Sequence, residues 1–320
     1  MTGGVRAATI LAFAKINLEL RVLYRRADNF HELRTVFQTI SLADRIQIAF
    51  TPARKTTIVV RSNVDIADNL IARAADACLG AKRTTGRVEF DLDKRIPIGA
   101  GLGGGSSDAA AVLLALPALA GKTLDWPTLL KLGSELGSDV PFFLLGGTAV
   151  AIGRGTELYP LPDHTPARGL VVAPEIHVST ADAYRRLSAQ LTTESQQNKM
   201  VSFQSAVWRG SVSGPREAEA LYGQNDFETV VFSRHPELKS IKRRLLKLGA
   251  RPALMSGSGS ALFGLFARRD ELHRAIQSLR GERIFPITLV SRDKYRSEWW
   301  KRLGAHTKEN LWPPQSRYAR

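Results

Sequence analysis

The chain predicts an α+β protein of two domains, and three observations carry that expectation. Strand-like and helical segments follow one another irregularly, without the strict alternation that builds a doubly wound parallel sheet. A loop of five glycines and two serines at 96–111 (IPIGAGLGGGSSDAAA) runs straight into an alanine- and leucine-rich helical pattern. A proline-rich stretch at 160–166 (PLPDHTP) separates two patterned halves. The expected domains are 1–165 and 166–290, followed by a basic tail at 291–320.

The first half opens with strict alternation over 9–23. Ala14, Ile16, Leu18, Leu20 and Val22 fall on one face and Lys15, Asn17, Glu19 and Arg21 on the other, the pattern of a strand. A loop at 25–30 leads to an extended segment at 32–40 and a strand near 45–50. Strands are expected at 58–61 and 86–91 with a helix at 69–79 between them, then the glycine loop, a helix at 108–116 and another at 126–136. Past Gly137-Ser138-Asp139-Val140-Pro141 lies an apolar stretch at 142–152.

The second half reads as a strand at 169–173, a helix at 180–190, and a polar, serine- and glutamine-rich stretch at 192–216 whose weak pattern predicts a mobile loop or insertion. A helix at 235–248, strands at 253–256 and 261–266 around a Gly257 to Ser260 turn, and a helix at 270–279 complete a small α/β sandwich. Residues 298–320 carry three tryptophans but no evident apolar period, so they are expected to fray.

Composition narrows the function. A hydrophobic content of 44% with 23% charged residues is that of an ordinary globular protein. The single cysteine, Cys78, excludes an internal disulfide framework and a multi-cysteine metal site. The most apolar run, 109–120, is too short to span a bilayer and contains Pro117. With no apolar signal core at the start, these features predict a cytoplasmic protein without a membrane partner. A net charge of +15 implies anionic partners, whether nucleic acid, a membrane surface or phosphorylated small molecules. Its basic clusters at 239–247 and 292–302 fall on patterns that also suit amphipathic helices with solvated faces.

The glycine loop points to phosphate. Glycines let the backbone approach an anion closely, and the following helix adds the partial positive charge of its amino end. Three familiar motifs fail here. A dinucleotide fingerprint should sit on a strand end, where this loop has Pro97; the P-loop register at Gly121-Lys122-Thr123 meets Leu116 in place of glycine; and no protein-kinase D-F-G exists, only Asp226-Phe227-Glu228.

The segments FAKINL at 13–18, PIGAGLGGGSSDAA at 97–110 and MSGSGSALFGLF at 255–266 together resemble the GHMP family of small-molecule kinases. Narrower matches are RRADNFHEL at 25–33, LGSDVPFFL at 136–144, VSTADAY at 178–184 and NDFE at 225–228. The resemblance implies an N-terminal ribosomal S5 domain 2-like domain and a C-terminal ferredoxin-like domain with the substrate between them. It implies transfer of the γ-phosphoryl of ATP, with Mg2+, to the 2-hydroxyl of 4-diphosphocytidyl-2-C-methylerythritol, in the non-mevalonate route to isoprenoid precursors. The partner expected is therefore a cytidine diphosphate small molecule.

By the same resemblance Asp139 is the general base and Lys15 the catalytic lysine beside it. The phosphates lie on Pro97, Ile98, Gly99, Ala100, Gly101 and Leu102, and on Gly103, Gly104, Gly105, Ser106 and Ser107. The hydroxyls of Ser106 and Ser107 are expected to reach phosphate or ATP-bound magnesium, or to cap the helix. Asn17, Phe30, His31 and Tyr184 take the substrate, with Phe30 and Tyr184 stacking on the pyrimidine and His31 reading its edge.

Three departures stand out: Phe13 where the family usually has proline, Asn29 where glycine is usual, and Phe30 where tyrosine is commoner. Two rivals remain. One is a GHMP kinase for mevalonate, phosphomevalonate or homoserine, which has no need of a base-binding set; the other is a nucleic-acid-binding protein on a kinase fold.

Overall fold

The computed structural model describes residues 4–164, 167–190, 193–212 and 223–319. The expected domain boundary at 165/166 and the last residues of the 192–216 insertion lie outside them.

The first sheet has six strands. β1 (Arg6–Arg25) and β2 (His31–Pro52) form a long antiparallel hairpin, and β3 (Thr57–Ser62), β4 (Gly86–Asp93), β5 (Thr148–Gly153) and β6 (Glu157–Pro160) extend it in the order β3-β4-β2-β5-β6. The segments expected at 32–40 and 45–50 are one strand. Helices α1 (Leu70–Ala81), α2 (Gly104–Ala120), α3 (Trp126–Leu136) and α4 (Val140–Leu145) cover this sheet. Asn69 caps α1 by accepting the Ile71 N–H at 3.0 Å, and Asp125 caps α3 by accepting that of Thr128 at 3.0 Å. From Ser107 to Leu119, α2 is buried all round, so alanine and leucine on every face make it the centre of the first core.

The second sheet is antiparallel, in the order β10-β7-β9-β8, from β7 (Arg168–Val172), β8 (Ala253–Met255), β9 (Leu262–Phe266) and β10 (Ile284–Thr288). Helices α5 (Thr180–Ser188), α6 (Thr193–Val212), α7 (Phe227–Arg234), α8 (Pro236–Lys247) and α9 (Arg269–Ser278) belong to this half. β10 carries Pro286, which a strand tolerates at a sheet edge. A shared apolar cluster joins the halves, with Ile16, Leu18 and Val36 of the first sheet packed with Val171, Phe263 and Ile287 of the second.

Two expectations are corrected. The described part of the polar insertion is helical: Phe203 and Ala206 of α6 are buried, and Lys199 pairs with Asp226 at 2.7 Å. The basic tail does not fray either. It forms α10 (Arg292–Leu303) and a 3-10 turn at Gly304–His306, and buries Tyr295, Trp299 and Leu303 in the first core. Spaced four apart, those three residues form one helical stripe, and the aromatic rings supply enough apolar area to order a segment rich in charge.

Candidate active site

Both faces of β1 are buried, which alternation alone does not disclose. On its apolar face Ala14, Ile16 and Leu18 lie in the shared cluster and Leu20 and Val22 in the core of the second half, while Lys15, Asn17, Glu19 and Arg21 are covered by the second half and by the glycine loop. A buried polar row of this kind must be hydrogen-bonded throughout. Lys15 Nζ donates to Asn17 Oδ1 at 2.7 Å and lies 3.5 Å from Asp139 Oδ2. Asn17 Oδ1 also accepts the Gly257 N–H at 2.9 Å, and its Nδ2 donates to Thr35 Oγ1 at 2.8 Å. Glu19 accepts the Gly223 and Gln224 N–H groups at 3.0 Å each and Arg21 Nε at 2.7 Å.

The glycine loop is fastened on two sides. Leu102 O accepts the Lys15 N–H at 3.0 Å, while Ala100 O and Gly101 O accept from Ala261 N and Ser256 Oγ at 3.1 and 2.9 Å. Gly101 has φ +79°, and a Cβ there would fall 2.1 Å from Ser256 O, so only glycine permits this close approach of two loops. The third resemblance segment thus meets the first and second at one point.

Helix α2 begins earlier than its sequence pattern suggests, at Gly104, with Gly103 in the left-handed conformation as its N-cap and no side-chain cap. Neither serine caps the helix. Ser107 is buried and donates its hydroxyl to Phe13 O at 2.7 Å, so it fastens α2 to β1 rather than facing a phosphate. Ser106 is half-buried and lies beside the Gly137 turn: a Cβ on Gly137 would sit 3.6 Å from its Oγ. Since Ser107 N–H makes the first turn's bond to Gly103 O at 2.9 Å, the preceding amides of the helix are left for a ligand.

Asp139 occupies the N-cap position of α4, yet its side chain caps nothing. Its carboxylate is 31% exposed and faces Lys15, whose side chain is only 4% exposed. An open carboxylate against a buried ammonium is an arrangement that can accept a proton beside a site of growing negative charge.

A cavity of about 870 Å³ opens from this pair and is lined by Lys15, Asn17, Phe30, His31, Asp139 and Tyr184 among others. The structure therefore gathers the expected acceptor-side residues around one space. The stacking differs in detail from a bare sandwich of two aromatic rings. Tyr184 lies against His31, centroids 4.8 Å apart and 24° between planes, and meets Phe227 edge-on at 4.7 Å. Phe30, 46% exposed, carries the Arg154 guanidinium 3.5 Å above its ring centroid. His31 Nε2 hydrogen-bonds Ser188 Oγ, which itself donates to Tyr184 O at 2.7 Å. Burial, helped by the nearby Arg25 charge, holds the His31 imidazole below its ordinary pKa, so the neutral ring prevails near neutrality. Burial pushes the Tyr184 phenol up, and Asp139 adds to that rise. Asn29, which precedes Phe30, takes φ +67°, so its turn tolerates the departure from glycine.

Sequence reasoning missed three features. Arg154, Arg25 and Arg185 line the cavity and bring positive charge to its mouth. Glu19 latches the segment before α7 onto β1. Beneath the glycine loop, Lys94 Nζ bonds Asp44 at 2.6 Å and Asp108 at 2.5 Å, all three buried. Burial raises the Asp108 pKa, and the neighbouring Asp44 charge adds to it against the pull of Lys94.

The two sheets, the meeting of three loops and a lysine-aspartate pair beside a glycine-rich helix terminus are the features of a small-molecule kinase. Family models agree: GHMP kinases N terminal domain matches residues 69–147 and GHMP kinases C terminal matches 204–283. The 4-diphosphocytidyl-2-C-methyl-D-erythritol kinase of Solibacter usitatus (strain Ellin6076) is 60% identical over 317 residues, covering 98% of each chain. That of Geobacter sulfurreducens is 41% identical over 284 residues, 88% of this chain and 98% of its own. A crystal structure of 4-(cytidine 5'-diphospho)-2C-methyl-D-erythritol kinase superposes with a TM-score of 0.73 at 41% identity, over 88% of this chain and 98% of that one. A homoserine kinase from Cytophaga hutchinsonii shares the fold, with a TM-score of 0.69 at 17% identity, over 88% and 95%. The chain belongs to the GHMP kinase family, and within it to the 4-diphosphocytidyl-2-C-methyl-D-erythritol kinases.

Proposed function

We propose that the protein transfers the γ-phosphoryl of ATP to the 2-hydroxyl of 4-diphosphocytidyl-2-C-methyl-D-erythritol. The observation that carries this reading is the single cavity joining the Lys15–Asp139 pair to Phe30, His31 and Tyr184. A kinase for mevalonate or homoserine has no use for aromatic and imidazole groups at that end, whereas a pyrimidine offers faces to stack and an edge to read.

In this reading Asp139 takes the hydroxyl proton as the acceptor oxygen attacks, and Lys15 stabilises charge on the group in flight. Asn17 lines the cavity, but its Oδ1 is engaged by Lys15 and Gly257; its part is to aim the lysine and hold the third loop as well as to meet the substrate. Phe30 and Tyr184 present stacking surface to the base, His31 in its neutral form reads the edge, and Arg25, Arg154 and Arg185 complement the diphosphate.

The phosphates of ATP fit the loop from Pro97 to Ser107, where Gly99, Gly101 and Gly103 take φ of +68°, +79° and +71°; Gly99 faces open space, while Gly101 and Gly103 let the loop lie close against Ser256 and against Phe143 and Lys15. Among the described residues no cluster of three or more histidine, cysteine or acidic side chains could hold a metal. The residues fit a magnesium held chiefly by the ATP phosphates with the Ser106 hydroxyl; bound there it would neutralise charge on the β- and γ-oxygens. Ser107, committed to Phe13, is not part of that set.

The reading is tested by ADP release from magnesium-ATP with the cytidyl acceptor, mevalonate and homoserine offered in parallel. Turnover confined to the cytidyl acceptor is expected; turnover on either of the others, and not on it, would overturn the acceptor assignment while leaving the kinase class intact.

A further inference from the structure

The segment that follows the second sheet lies beyond both family-model matches, which end at residue 283, yet it returns to the first half and packs behind the active site. Helix α4 has only six residues and carries Asp139 at its amino end. Its last carbonyls have no partner within so short a helix and must be satisfied from outside. Phe142 O accepts the Gly146 N–H at 2.9 Å. The next two carbonyls are taken by the C-terminal segment: Tyr295 Oη donates to Phe143 O at 2.5 Å, and Trp312 Nε1 donates to Leu144 O at 2.9 Å. The turn beyond them is shaped to the same tyrosine, because Gly146 has φ +70° and a Cβ there would fall 2.5 Å from the Tyr295 ring.

The same ring reaches the other half of the catalytic pair. Its centroid lies 5.7 Å from that of Phe13, two residues before Lys15 on β1. Tyr295 therefore touches both the strand that carries the lysine and the helix that carries the aspartate. The segment is itself held firmly. Arg292 donates to Thr148 O at 2.6 Å, Trp299 and Trp312 meet edge-on at 5.9 Å, and Ser316 Oγ donates to Ala118 O at 2.7 Å.

We propose that residues 292–316 form a positioning strap, in which Tyr295 and Trp312 pin the carbonyl end of α4 and thereby set the Asp139 carboxylate against Lys15. The proposal rests on reading Asp139 as the base. The side chains of α4 pack in the first core, and the two donors add to that packing a directional hold on its carbonyl end; a small misplacement of a base costs rate rather than binding. Tyr295 and Trp312 are positioning residues: neither touches the cavity.

The test compares Tyr295→Phe and Trp312→Phe, which remove one donor each and keep the ring, with Ser316→Ala. That third variant also deletes a buried hydrogen bond of the strap, but at the end of α2. Steady-state kinetics are measured with ATP and the cytidyl acceptor, well below each variant's Tm, alone and in an Asp139→Asn background. The strap predicts a kcat lower by about five- to tenfold in Tyr295→Phe and Trp312→Phe with both KM values within about twofold, and an unchanged kcat in Ser316→Ala. In the Asp139→Asn background, Tyr295→Phe should lower kcat no further, since the group it positions is gone. Equal losses in Ser316→Ala and Tyr295→Phe, or the same loss from Tyr295→Phe in both backgrounds, would overturn the strap. An Asp139→Asn enzyme that turns over like wild type would instead remove the base reading on which it stands.

Discussion

Asn17→Ala tests how the three loops are held together. The Asn17 side chain is buried and receives Lys15 Nζ at 2.7 Å and Gly257 N–H at 2.9 Å while donating to Thr35 at 2.8 Å. Removing it takes away one charge-assisted bond, worth about 1.5–3 kcal/mol, and two neutral ones of about 1 kcal/mol each, leaving buried groups unpaired. The expected loss of stability is therefore about 3–5 kcal/mol, read from urea unfolding. If the part due to Lys15 is also lost from the transition state, kcat falls about 10- to 150-fold, since about 1.4 kcal/mol is tenfold in rate. Asn17→Asp should not rescue the site. Thr35 Oγ1 already donates to Glu19 O at 2.6 Å, so a carboxylate would turn lone pairs toward lone pairs. A stable Asn17→Ala protein with wild-type kcat would refute the view that this amide aims Lys15 and latches the Gly257 turn.

Further outcomes concern the acceptor end and the buried charges. Tyr184→Ala removes the ring stacked on His31, and should raise KM for the cytidyl acceptor by about 1–3 kcal/mol of lost stacking while leaving KM for ATP unchanged; unchanged acceptor KM would discard the pyrimidine site. Lys94→Met leaves Asp44 and Asp108 buried without their cation and should cost about 3–5 kcal/mol in denaturant unfolding. The pH dependence has a definite sign. Asp108 has a folded-state pKa above its ordinary 3.8, so its contribution is fully present below that value and is lost as pH rises through the elevated one. The deficit of Lys94→Met against wild type should accordingly narrow on going from about pH 8 to about pH 5; a gap that widens on acidification would contradict this account of the triad.

Much of the site is legible in the sequence because short motifs carry it. Alternation placed Lys15 and Asn17 on one face of β1, and the glycine loop marked the amino terminus of α2, where the proposed function puts the phosphates. What could not be read is where those faces end up. Both faces of β1 are buried because the second half covers the polar one, a tertiary fact with no local signal. Ser106 and Ser107 are neighbours of one type, yet a helix that starts at Gly104 turns one toward the Gly137 turn and the other into the core toward Phe13. The 192–216 insertion hid α6 because a mostly polar helix shows almost no apolar period, and the few buried side chains, Phe203 and Ala206, are too sparse to define a stripe. The tail did contain its signal. Tyr295, Trp299 and Leu303 recur at helical spacing, but the dense basic residues between them read as a solvated face.

The most direct measurement is the turnover of Asp139→Asn with the cytidyl acceptor, together with its ATP affinity. The substitution removes the proposed proton acceptor beside Lys15 and little binding surface, so kcat should fall by about 100-fold or more while ATP binds as before. An Asp139→Asn enzyme with near-native kcat would show that the lysine-aspartate pair is not where the acceptor hydroxyl is activated.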